Sequence, residues 1–81
     1  MELQEAMELF EEIVELCYET ENPRIIEVIE EIYSEVEYST SVPKVLSALE
    51  ELQVVINQQD LTEDEEEITN EIQEKIELMS E

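Results

Sequence analysis

The stretch VPKVLSALEELQVVIN, residues 42–57, carries the broadest apolar surface of the chain. Its apolar side chains recur at the three- and four-residue spacing of an α-helix and spread over much of the helix circumference. They are Val42, Val45, Leu46, Ala48, Leu49, Leu52, Val54, Val55 and Ile56. Pro43 suits the first turn of such a helix, and Ser41 is a candidate N-cap. Because a helix that is apolar on most sides is usually buried, this segment is predicted to be the central helix of the fold.

Three more amphipathic helices are predicted, at about residues 2–20, 23–37 and 63–79. Each has an apolar stripe at helical spacing and glutamates on the opposite side. The stripes comprise Leu3, Ala6, Met7, Phe10, Ile13, Val14 and Cys17; then Ile25, Ile26, Ile29, Ile32, Tyr33 and Val36; then Ile68, Ile72, Ile76 and Met79. The last stripe is the thinnest, so the fourth helix is expected to dock more weakly than the others.

The starts of the second and fourth helices have clear capping signals. Asn22 is a good N-cap residue, and Pro23 suits the first helical position. Thr62 and Glu65 form a capping-box sequence, in which each side chain satisfies a free backbone N–H at the start of the helix. The acids that follow Thr62 also lie where the helix dipole favours negative charge. The dense acidic run at residues 63–67 therefore indicates a helix start.

The length and the composition favour one helical domain. A chain of 81 residues is enough for a single domain, and the breaks between helices are short, which favours antiparallel neighbours. Glycine is absent, and tight β-hairpins favour glycine in their turns. The sequence therefore predicts an all-α domain over residues 1–81, a four-helix bundle of short, mostly antiparallel helices. A core of this size typically leaves a net stability of about 3–5 kcal/mol.

The chain carries 25 acidic residues against three basic ones, for a net charge of −22. On a helix surface, residues four apart are neighbours, and like charges at that spacing repel. The acidic pairs at that spacing are Glu8/Glu12, Glu11/Glu15, Glu15/Glu19, Glu27/Glu31, Glu31/Glu35, Glu63/Glu67, Glu67/Glu71 and Glu77/Glu81. At about 0.2–0.5 kcal/mol each, they destabilise the fold by about 2–4 kcal/mol before salt screening. That penalty is comparable to the whole expected stability of the domain.

Each of the three basic residues has an expected structural partner. Arg24 has Glu21 and Glu27 three residues away on either side, and Lys75 has a glutamate, Glu71, one turn before it. Local ion pairs are expected for both. Lys44 has no acid at three or four residues in either direction, so a salt bridge to another part of the fold is expected there.

The residue types that most catalytic and metal sites need are missing or poorly placed. Without glycine there is no phosphate-binding loop, and without histidine there is no di-iron carboxylate constellation. A calcium loop can be aligned from Asp60 to Glu71, but Glu65 stands where the loop needs glycine. Cys17 lies on an apolar stripe, so a buried structural cysteine is expected rather than a nucleophile. No catalytic, cofactor or metal site is predicted, and the protein is not expected to be an enzyme.

One family is similar in length, acidity and number of predicted helices. Acyl carrier proteins carry their phosphopantetheine on a serine within an Asp-Ser-Leu motif at a helix start. The nearest match in this chain is Ser41 in STSVPKVLSALEEL, which has neither the aspartate nor the leucine. An acidic carrier-type protein without a recognisable attachment motif therefore stays as a further alternative.

Two interpretations of the acidic surface are open. It either keeps the protein soluble, or it is complementary to a basic partner. For the second, we expect a basic or nucleic-acid-binding protein, with a nucleic-acid mimic as the alternative function. Direct contacts with nucleic acid or an anionic membrane are disfavoured, because both need lysine and arginine. The candidate partner-binding residues are Glu8, Glu12, Glu15, Glu19, Glu63, Glu66, Glu67 and Glu71.

The sequence also raises the question of self-association and of location. Leu9, Leu16 and Leu78 fall outside the main apolar stripes, and an exposed apolar strip of this kind is usual at an interface. A homodimer or a docked partner helix is therefore expected.

No segment has the composition of a transmembrane helix or a signal peptide, so a cytoplasmic location is expected.

Overall fold

The structure, a computed structural model, describes residues 1–80 and contains four α-helices. They are α1 (Leu3–Glu19), α2 (Pro23–Glu37), α3 (Val42–Gln58) and α4 (Glu63–Ser80). Each boundary lies within about one residue of its predicted position, and the described residues contain no strand. The predicted all-α fold is therefore confirmed. The Glu77/Glu81 pair is the one predicted acidic pair that lies outside the described residues.

The four helices form a bundle in which α1 and α3 share the middle. Each helix packs against the next in the chain, α4 closes the bundle against α1, and α1 also touches α3 across it. Over the described residues, α2 and α4 do not touch each other. The prediction of α3 as the single central helix is therefore only half right. The weak docking expected for α4 is wrong, because its interface with α1 is one of the two most extensive in the bundle.

The bundle is compact for its length. Its radius of gyration is 11.7 Å, equal to the value of about 11.7 Å expected for a folded chain of this size. The fully buried side chains come from all four helices, among them Ile13, Ile25, Ile29, Ile32, Leu49, Leu52 and Ile72. One continuous apolar core therefore holds the helices together.

Two predicted stripes differ in detail from the buried faces. In α4 the side chain of Thr69 is buried and that of Ile68 only half-buried, because the buried face is rotated slightly from the predicted one. The Thr69 hydroxyl donates a hydrogen bond to the carbonyl of Glu66, which satisfies it inside the core. In α3, Val54 is 52% exposed, so the apolar side chains of this helix are not all buried.

The helix starts confirm two of the three predicted caps. The Asn22 side chain accepts hydrogen bonds from the backbone N–H groups of Arg24 and Ile25. The Thr62 hydroxyl accepts from the Glu65 backbone N–H at 3.2 Å, and the Glu65 carboxylate accepts from the Thr62 backbone N–H at 3.0 Å. Ser41 occupies the N-cap position of α3, as predicted, but its side chain makes no capping hydrogen bond.

The two working caps are joined to each other. The Asn22 amide donates hydrogen bonds to Gln59 Oε1 and Glu65 Oε2, both at 2.7 Å. This ties the start of α2 to the end of α3 and the start of α4. The hydrogen bonds from the Thr62 backbone, from Asn22 and from the Thr62 side chain, in that order of size, hold the pKa of Glu65 below its ordinary value.

The turn between α1 and α2 contains a strained residue. Glu21 has a φ of 53°, the left-handed conformation that usually follows a helix end and that glycine adopts most easily. The chain has no glycine, so a side chain with a Cβ occupies this position. Its backbone N–H still donates to the carbonyl of Tyr18 at 3.1 Å, which stabilises the turn.

Glu21→Gly is therefore expected to stabilise the protein. Left-handed conformation costs a non-glycine residue about 1–2 kcal/mol, and the extra freedom of glycine in the unfolded chain offsets about half of that. We expect a net gain of about 0.5–1 kcal/mol in the free energy of unfolding, measured by urea denaturation. Glu21→Gln removes the same charge but keeps the Cβ, and an equal gain from Glu21→Gln would assign the effect to charge instead of strain.

Candidate protein-interaction surface

An acidic row runs along the outer face of α1. Glu8, Glu12, Glu15 and Glu19 follow each other at helical spacing and are all exposed. They lie opposite the stripe that α1 buries in the core. The structure therefore brings these four predicted residues together on one surface.

A second acidic row belongs to α4 and meets the first at Lys75. Lys75 Nζ lies 2.9 Å from Glu12 Oε2 on α1, which places the Lys75 side of α4 next to α1. Glu63, Glu67 and Glu71 precede Lys75 at intervals of four residues, so each lies about one turn from the next, and all three are exposed. We call the seven glutamates of the two rows the acidic ridge.

One predicted member lies elsewhere. Glu66 lines a polar groove between α3 and α4, together with Asn57 and Gln73. It points away from the row because it directly precedes Glu67, and successive residues of a helix are about 100° apart around the axis. Glu66 therefore lies outside the two rows, and the acidic ridge has seven of the eight predicted residues.

Lys75 is the one basic residue within the acidic ridge. Its side chain is 27% exposed, at the seam between α1 and α4, and it reaches across to Glu12 instead of back to Glu71. The predicted local pair is thus wrong, because the seam places a carboxylate of another helix within reach. Partly exposed pairs of this kind contribute about 0–1 kcal/mol, so Lys75 joins the two rows without neutralising them.

The two other basic residues give one confirmed prediction and one wrong one. Arg24 Nη1 lies 3.8 Å from Glu27 Oε2, the local pair that was expected. Lys44 forms no salt bridge within residues 1–80; its ammonium lies 3.5 Å from the Thr40 hydroxyl. Pro43 and Lys44 are the exposed residues in the first turn of α3, and Lys44 stays in solvent there.

No cluster of metal ligands assembles among the described residues. No three acidic or cysteine side chains of residues 1–80 converge as metal ligands would, and the segment that could be aligned with a calcium loop is a continuous helix from Glu63. Cys17 is free and buried, and burial raises the pKa of its thiol to about 12, which keeps it protonated. None of the four helices over this range has the length and apolar character needed to cross a bilayer.

The exposed apolar side chains lie mainly where the sequence did not indicate them. Leu9 and Leu16 pack against the core and are half-buried, so their expected exposure is wrong, whereas Leu78 is 49% exposed. Tyr18 and Tyr33, on α1 and α2, are 48% and 42% exposed. Of these two tyrosines, only Tyr33 belongs to an apolar stripe predicted from the sequence.

Similarity to other proteins adds no further guide to function. The sequence matches no protein-family model, and comparison with curated proteins and with solved structures gives no significant match.

Proposed function

We propose that this protein is a non-enzymatic interaction module that binds a basic protein partner through the acidic ridge. The observation that carries the proposal is the arrangement of seven exposed glutamates in two rows, on α1 and α4, that a single lysine joins. A surface used only for solubility would be expected to mix both signs of charge.

The energetics support a partner of opposite charge. Repulsion between neighbouring acids along α1 and α4 destabilises the free protein, and lysines at a few of these positions would relieve it. A basic surface placed on the ridge would remove the same repulsion on binding. The negative electrostatic potential of the ridge would also accelerate association with a basic partner and make the association rate sensitive to salt.

A nucleic-acid mimic is a second candidate, favoured by the charge per length. A net charge of −22 along a bundle 34 Å long gives about one charge per 1.5 Å of axis. Double-stranded DNA carries one per about 1.7 Å. A groove that accepts a duplex would therefore meet a similar density of negative charge on this protein.

The test compares two variants of equal charge. The ridge variant carries Glu8→Gln, Glu15→Gln, Glu67→Gln and Glu71→Gln. The control carries the same four changes at exposed glutamates outside the ridge: Glu31, Glu35, Glu50 and Glu51. Each immobilised protein is mixed with cell extract at about 0.15 M salt, and captured proteins are quantified by mass spectrometry.

We expect a set of basic proteins whose capture falls about tenfold or more with the ridge variant and stays near the unsubstituted level with the control. Equal losses with both variants would show attraction to net charge alone and would contradict the proposal. Release of the captured proteins by a duplex oligonucleotide would favour the mimic over a general interaction module.

A further inference from the structure

An apolar groove runs between α1 and α2, on the side of α1 away from α4. We call it the α1/α2 groove and define it by six side chains: Met7, Phe10, Val14 and Tyr18 of α1, and Ile29 and Tyr33 of α2. Phe10 and Ile29 are buried and form its floor, and the other four are partly exposed along it. The rings of Phe10 and Tyr33 pack at a centroid distance of 5.8 Å.

The groove is open because α1 and α2 meet less extensively than α2 with α3 or α1 with α4. The apolar edges of α1 and α2 that face outward along this seam are covered by no other helix of the described chain. A contiguous exposed apolar patch of this kind is characteristic of an interaction site. The groove follows α1 from Met7 to Tyr18, a length of about 16 Å, or three helical turns.

Carboxylates form the rim of the groove on both sides. Glu11 and Glu37 line one end, and Glu30 lines the other. No lysine or arginine lines it, and Arg24 of the same helix pair is engaged with Glu27. A second copy of this chain would bring acidic helix faces against this acidic rim, whereas a basic segment would complement it.

We propose that the α1/α2 groove binds an amphipathic α-helix of about three turns whose apolar stripe is flanked by lysine or arginine. The stripe would fill the channel over Phe10 and Ile29, as in other helix-in-groove complexes. The flanking cations would pair with the rim glutamates and lie over the faces of Tyr18 and Tyr33. This inference rests on the proposed function in one respect, that the protein binds basic partners, and it adds a second docking place apart from the acidic ridge and the secondary structure of the segment bound there.

The test uses two synthetic peptides of identical composition. The first is a 14-residue chain of leucine and lysine, capped at both ends, with leucines at helical spacing. The second has the same residues in an order with no helical stripe. Binding of each fluorescein-labelled peptide is measured by anisotropy at about 0.15 M salt. Ser34 of α2 also lines the α1/α2 groove. Groove variants Tyr18→Ala and Ser34→Arg are paired with matched controls Tyr38→Ala and Ser47→Arg, all at exposed positions.

We expect the patterned peptide to bind about tenfold or more tightly than the scrambled one. Tyr18→Ala removes one wall of the groove and Ser34→Arg places a bulky cation in it, so each should weaken binding by about tenfold. The controls should change it by less than about twofold. Circular dichroism of each variant establishes that the helical fold is retained.

Three results would overturn the inference. Equal affinity for both peptides, with no effect of the groove variants, would show attraction to charge alone and leave the acidic ridge as the binding surface. Absence of binding by either peptide would remove the groove proposal, while the capture experiment decides the ridge separately. A dimer in sedimentation at high salt that Ser34→Arg dissociates would show that a second copy occupies the groove.

Discussion

Leu52→Ala is expected to leave most of the protein unfolded at 25 °C in low salt. Leu52 is fully buried in α3, one of the two helices that share the middle of the bundle. Truncating a buried leucine costs about 2–5 kcal/mol, from lost apolar burial and from the cavity left behind. A domain of this size has a free energy of unfolding of about 3–5 kcal/mol, so the substitution removes close to the entire stability. Helical circular dichroism during urea denaturation measures it.

Leu78→Ala is the matched control for this experiment. It removes the same atoms from a leucine that is 49% exposed on α4, and alanine is at least as good a helix former. We expect Leu78→Ala to change the free energy of unfolding by less than about 0.5 kcal/mol. A large loss from Leu78→Ala would mean that this side chain is covered in solution, most simply by another copy of the protein. A small loss from Leu52→Ala would contradict the single shared core.

The positions of the helices could be predicted because their signals are local. Asn22 followed by Pro23, and Thr62 with Glu65, specify helix starts through hydrogen bonds within one turn, and both caps form. Apolar periodicity likewise needs no knowledge of neighbouring helices. For the same reason, four of the acidic ridge residues on α1 could be placed on one face from their spacing alone.

The contacts between helices could not be predicted, because periodicity defines a face but not its neighbour. Lys75 has a well-spaced glutamate on its own helix and yet binds Glu12, since the α1–α4 seam brings that carboxylate closer. Glu66 directly precedes Glu67 in the sequence, yet the rotation of α4 places it in a groove lined by α3. The α1/α2 groove depends on how tightly two helices approach, which no single stripe encodes.

Salt and mild acid are expected to stabilise the protein, the reverse of ordinary acid denaturation. Raising salt to about 1 M shortens the Debye length to about 3 Å. The free energy of unfolding should then regain much of the roughly 2–4 kcal/mol that repulsion between acids removes. For a domain of this size that corresponds to a melting temperature about 10 °C higher. If Leu52→Ala is unfolded for the reason given above, the same salt should partly refold it. Unchanged melting in salt would show that the repulsion is negligible.

The dependence on pH is expected to have a maximum near pH 5. Mild acid reduces the net charge of −22, and repulsion between those charges is stronger in the compact folded chain than in the unfolded chain, so stability is expected to rise as the pH falls from 7. Glu65 has the opposite effect on the pH dependence of stability, and it acts at a lower pH. Because its folded pKa is depressed below 4.5, its stabilising effect is complete above that pH and is lost as the pH falls through the folded value.

Thermal melts from pH 7 to pH 3 in low salt can separate the two effects by substitution. Glu65→Gln can still form the capping box but cannot titrate, so the decline below about pH 4.5 should become shallower than in the unsubstituted protein. Glu67→Gln removes one exposed charge on the same helix and should leave that decline unchanged. If the protein is instead less stable at pH 5 than at pH 7, its acids are mainly paired or hydrogen-bonded within the fold. The acidic ridge would then have no unrelieved repulsion for a basic partner to remove, and the energetic support for the proposed function would be lost.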